Sequence, residues 1–80
     1  MNLSDLKENS KAQIVGFDKD LPPQHQLRLL EIGFAVGQVV RCAKKPPFQG
    51  PPIFEVSDGL FSIDHDLAKS IEIQMCEQRM

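Results

Sequence analysis

Four prolines fall within the eight residues Lys45–Pro52 of this chain. No helix or ladder runs through such a segment, because each proline fixes φ and removes a backbone donor. Further punctuation follows the same logic: Leu21-Pro22-Pro23, Gly33, Gly37 and Asp58-Gly59 divide the rest into short apolar runs. Short runs between frequent turn signals are the pattern of a small all-β barrel or sandwich. Eighty residues suffice for one domain.

Between the breaks, each run has a period. Leu3 and Leu6 flank Ser4-Asp5, which reads as one capped turn that packs two leucines on the barrel. Ala12 to Phe17 is the first strand, with Gly16 marking a bulge or a close backbone approach. Proline at the first turn of a helix costs nothing, so Pro22-Pro23 open a helix over Gln24–Ile32. Leu27, Leu30 and Phe34 at i, i+3, i+7, with Leu29 and Ile32 alongside, give it an apolar face, and Gly33 is its left-handed cap. So short a helix needs docking, as a lid on one end of the barrel.

Gln38–Lys44 is the second strand, with Val40 and Cys42 on one face and Val39, Arg41 and Ala43 on the other. Ile53–Val56 is the third. Asp58-Gly59 reads as the centre of a type I′ hairpin turn, with Leu60–Ile63 returning. Asp64–Ser70 is a helical turn capped by Asp64, and Ile71–Gln74 is the last strand. The expected architecture is therefore mainly β: a five-stranded barrel, one short α-helix between strands 1 and 2, and a helical turn before strand 5. Residues 1–75 form the domain and 76–80 a flexible tail, with fraying from Met75.

Composition narrows the chemistry. Nine Lys and Arg against eleven Asp and Glu give a net charge of −2, and there is no Trp or Tyr. A nucleic-acid binder wants a basic footprint and stacking platforms, so nucleic acid is not expected as a partner. No apolar run approaches the roughly 20 residues of a bilayer span, and the N-terminus lacks the pattern of a signal peptide, so a cytoplasmic chain is expected. Cys42 and Cys76 fit a reducing compartment, while a bridge between them stays open. Cys42 shares the Val40 face as a small buried hydrophobe, and neither thiol has a base nearby in sequence. No phosphate-cradling glycine pattern is present. No catalytic residue, and no enzyme, is expected.

Three segments together resemble one family. Arg28-Leu29-Leu30-Glu31-Ile32-Gly33-Phe34-Ala35-Val36-Gly37 is similar to the helix-to-strand signature of the ferrous iron transport protein A (FeoA) family. Gly50-Pro51-Pro52-Ile53 resembles its entry to the third strand, and Ala68-Lys69-Ser70-Ile71-Glu72-Ile73 its closing pattern. The resemblance runs from about Leu3 to Gln74 and implies an SH3-like barrel, in agreement with the strand count. The same module occurs as the C-terminal domain of some iron-dependent repressors. One departure stands out: Ile63-Asp64 replaces the usual leucine-arginine pair.

The resemblance implies a cytosolic accessory protein of ferrous iron uptake. Its partner would be FeoB, a membrane transporter with a cytosolic GTP-hydrolysing domain, which would hold it peripherally at the inner membrane. Within that frame the proline-rich loop is either a connector with Phe48 tucked inward or a docking loop that presents Phe48 beside Lys44 and Lys45. A stiff loop has less freedom to lose on binding. The candidate partner contacts are Lys44, Lys45, Pro47, Phe48 and Gln49, with Arg28 on the outer face of the helix. The alternative is an Fe(II)-binding chaperone or sensor using His25, Asp64, His65 and Asp66, since Fe(II) accepts imidazole and carboxylate. Adjacent side chains on an extended chain point apart and His25 lies on another element, so no metal ligand set or resident cofactor is expected from them.

Overall fold

The computed structural model describes residues 1–48 and 50–76. A single 3₁₀ turn, Leu3–Asp5, precedes β1 (Lys11–Phe17), α1 (Pro23–Glu31), β2 (Val39–Lys44), β3 (Ile53–Val56), β4 (Gly59–Ser62), α2 (His65–Lys69) and β5 (Ile71–Met75). The five strands form one antiparallel sheet in the order β4-β3-β2-β1-β5, as in an SH3-like fold. One core fills it. Ala12 and Ile14 of β1, Val40 and Cys42 of β2, Phe54 and Val56 of β3, and Ile71 and Ile73 of β5 all point inward. Each set follows the period of two that a half-buried strand requires.

The N-terminal turn forms because Asn2 and Asp5 satisfy each other's ends. The Asn2 side chain accepts from the Ser4 N–H, and the Asp5 carboxylate accepts from the Asn2 N–H at 3.1 Å. Leu3 and Leu6 on either side are fully buried, as the sequence predicts. The same residues cover an edge of the sheet. Ile73 N–H donates to the Met1 carbonyl, and Asn2 bridges to Glu72 on the outer side of β5.

The bulge expected at Gly16 is present. The β1–β5 register passes from Ile14↔Ile73 to Gly16↔Glu72, which leaves Val15 as the extra residue. A second irregularity between Cys42 and Lys44 leaves Ala43 over where β2 approaches the proline-rich segment.

Three expectations need correction. Of the expected apolar face of α1, Leu29 is buried and Ile32 packs on the core, but Leu27 and Leu30 are 58% and 42% exposed. The leucines at 27, 29 and 30 belong to two overlapping stripes. Gly33, at φ 107°, ends the helix before Phe34, so a helical offset no longer applies to that residue. Phe34 instead turns into the core, its N–H bonded to the Leu29 carbonyl at 2.8 Å. The hairpin turn is also displaced by one residue. Ser57 and Asp58 hold the positive φ values, 51° and 65°, while Gly59 pairs with Val56 as the first residue of β4. The Phe61 ring decides this: a Cβ on Gly59 would lie 2.7 Å from its Cε2 atom. That ring covers Gly59 and meets Phe34 edge-on at 6.1 Å. Last, Met75 is not frayed, since it pairs with Ala12 in β5. From residue 77 onward the expected tail lies outside the described residues.

Candidate functional site

Two open surfaces gather the residues that the sequence singles out. The first is the proline-rich loop. Its entrance is tied to the N-terminal segment: the Lys45 N–H donates to Glu8 Oε1 at 2.9 Å. The Lys45 ammonium donates to the carbonyls of Leu6 and Ser4 at 2.8 and 3.1 Å. These carbonyls close the first turn of the chain, and a cation is the natural cap for such a set of oxygens. Lys45 is thus turned onto the body of the domain, while Lys44 and Pro47 are exposed. At the exit, the Pro52 side chain is fully buried. Between the two anchors stands Phe48, 96% exposed and at φ 61°. A non-glycine residue in the left-handed region is uncommon and costs on the order of 1–3 kcal/mol when strained. The connector reading, with Phe48 tucked inward, does not hold. Gln49 lies outside the described residues.

The second surface is a groove of about 810 Å³ between α1 and the segment from the end of β4 through α2. Leu21, Leu29, Ile63 and Leu67 give it an apolar lining that continues into the core. His25 and Arg28 line it from α1, and Asp64, His65 and Asp66 from the other side. The sequence places His25 on a separate element from Asp64, His65 and Asp66; the fold brings all four to one groove, with Arg28 among them. Among the described residues, however, no three His, Cys, Asp or Glu side chains are spaced to hold one metal ion.

Asp64 has a structural task at this groove. Its carboxylate accepts from the Leu67 N–H at 2.7 Å and caps α2, as its position predicts. An arginine has no acceptor to offer that amide, so the cap depends on an aspartate standing beside the buried Ile63.

Both cysteines are free thiols, so the bridge left open by the sequence is not formed. Burial pushes the Cys42 thiol up from its ordinary range, against an opposing pull from Lys45. A buried thiol held protonated is a packing residue, not a nucleophile.

With the geometry in place, comparison with known proteins is decisive. A family model for the FeoA domain matches residues 1–75. The chain belongs to the FeoA family. No curated protein sequence matches it. Among solved structures, FeoA of Stenotrophomonas maltophilia, complexed with zinc, is 28% identical with a TM-score of 0.80, over 92% of this chain and 89% of that one. It is described as a procaryotic SH3 domain protein and a candidate ferrous iron transport activating factor. The solution structure of FeoA from Chlorobium tepidum is 20% identical, with a TM-score of 0.88 over 100% of this chain and 74% of that one. A manganese-dependent transcriptional repressor shares the fold at 14% identity and a TM-score of 0.82, over 95% of this chain and 41% of that one. Membership in the FeoA family associates the chain with ferrous iron transport. Among the described residues no helix is long and apolar enough to cross a membrane.

Sequence reasoning missed two features of the domain surface. The exposed Leu27 and Leu30 on α1 were hidden by the overlap of two stripes. The inward turn of Lys45 has no local signal at all, because its acceptors lie about forty positions earlier in the chain.

Proposed function

We propose that this FeoA-family domain, residues 1–75, is a cytosolic docking module for the cytosolic part of a FeoB-type ferrous iron transporter. It acts by binding one transporter conformation better than another and carries out no chemistry of its own. The observation that carries this reading is Phe48: a large apolar ring, 96% exposed, held out by a loop anchored at Lys45 and Pro52. A pre-stiffened loop with one aromatic tip loses little freedom on docking, and buried aromatics are the usual anchors of interfaces. Lys44 and Pro47 flank the ring as further contacts, Gln49 follows it, and Arg28 offers a contact on the groove. Co-purification with the transporter encoded in the same genome tests it. Wild-type protein is retained, and Phe48→Ala is lost. Equal retention of both moves the contact off the loop, and retention of neither ends the proposal.

A second reading is supported by the groove, which His25, Asp64, His65 and Asp66 line, and by the zinc-bound relative. In it the domain carries Fe(II) as cargo. Anaerobic calorimetric titration decides it: saturable heat at micromolar Fe(II), lost in His25→Ala/His65→Ala, supports cargo binding, and a flat isotherm removes it.

A further inference from the structure

The two edges of the sheet are treated differently. The outer edge of β5 is covered by Met1 and Asn2. β4 has β3 on one side and, among the described residues, no strand on the other. Val56 and Gly59 close the two-residue hairpin as a hydrogen-bonded pair, and the Ile63 N–H donates to Pro52 at 3.2 Å in the same phase. The alternation of an antiparallel ladder then directs the N–H and C=O groups of Leu60 and Ser62 away from β3. No backbone bond meets them among the described residues. Short as β4 is, three other common protections of an edge are lacking. Gly59–Ser62 contains no lysine and no proline, and the β3–β4 register runs without a bulge. Leu60 is 63% exposed beside this edge.

Charge specifies what fits. The stretch Ser57–Asp66 carries Asp58, Asp64 and Asp66, all exposed, and no Lys or Arg. We propose that the outer edge of β4 receives an extended segment of a partner protein as an added strand, and that this segment is basic, with an apolar side chain opposite Leu60. Main-chain bonds would supply the affinity and the flanking aspartates the selectivity. The same acidic flanks bear on self-pairing: the register that pairs Leu60 of one copy with Ser62 of the other sets Asp58 opposite Asp64, like charge against like. This edge is separate from the Phe48 loop, and its test needs no transporter.

The test uses isotope-labelled domain and two capped peptides, one of alternating lysine and valine, the other of alternating glutamate and valine. The lysine peptide is expected to shift the Leu60 and Ser62 amides saturably and to slow their hydrogen exchange by about tenfold. Salt at about 0.5 M should weaken the effect, and the glutamate peptide should have none. Ser62→Pro removes an outward N–H without breaking a β3 bond and should abolish the response; Leu60→Lys should weaken it. The amides of β1 and β5 report whether each variant is folded. Amides unmoved by millimolar lysine peptide overturn the proposal. So does an equal response to the glutamate peptide, or exchange protection that rises with protein concentration alone, which would assign the edge to a second copy.

Discussion

The proline-rich loop and the α1–α2 groove are both open, but rigidity reaches them by different routes. In the loop it lies in the backbone: prolines limit φ, Lys45 and Pro52 fix the ends, and Phe48 is left bare. In the groove it lies in side chains that belong to the core, so Leu29 is at once lining and foundation. A surface of the first kind can lose its contact residue without the fold noticing. A surface of the second kind cannot. The loop is therefore the place where binding and stability separate cleanly, and substitutions at four positions measure how far that separation goes.

The largest effect belongs to the groove. Leu29→Ala should destabilise the domain by about 2–5 kcal/mol in denaturant titration, since it removes the only buried side chain of α1 and leaves a cavity. A loss below about 1 kcal/mol would mean that α1 is not held by that residue, and the comparison would break. Next is the base of the loop. Lys45→Met keeps the length of the stem but leaves the Leu6 and Ser4 carbonyls without their cation, at a cost of about 1.5–3 kcal/mol. Its signature would be faster hydrogen exchange in the N-terminal turn. Asp64→Ala should cost about 1 kcal/mol through loss of the α2 cap, and Asp64→Asn should recover most of it. If Asn fails to rescue, the charge matters more than the acceptor. The smallest effect is expected at the loop tip, where Phe48→Ala should change stability by less than about 0.5 kcal/mol. A larger loss would show that the ring packs on the domain in solution and would unite the two regions that the structure separates.

Much of this was legible in the residues. The strands followed from a period of two, and Val40, Cys42, Ile71 and Ile73 face inward as that period requires. Asp64 announced its cap by position, and Gly16 its bulge. Two local rules failed where they met tertiary packing. Asp58-Gly59 is a strong turn dipeptide, yet the Phe61 ring needs the space that Gly59 leaves, and the turn moves to Ser57-Asp58. The helical spacing of Leu27 and Leu30 is genuine, but a stripe records only that a face is apolar. Which part of that face the fold covers is set by how the helix seats on the core, and it seats on Leu29.

The groove was the least legible part. His25, Asp64, His65 and Asp66 were all in view, but their meeting depends on how α1 returns over the end of β4, and no residue near either segment encodes that. The sequence by itself determined the number of strands, the place of the helix, the face of each strand and the stiffness of the proline-rich segment. Those are local properties, set by φ restriction and by the alternation of side chains along a strand. Tertiary structure alone decided that Lys45 turns inward, that Phe48 stays out and that β4, among the described residues, is left with an open edge. The first depends on acceptors far back in the chain that the fold brings within hydrogen-bond reach, and the other two on what the rest of the chain leaves uncovered.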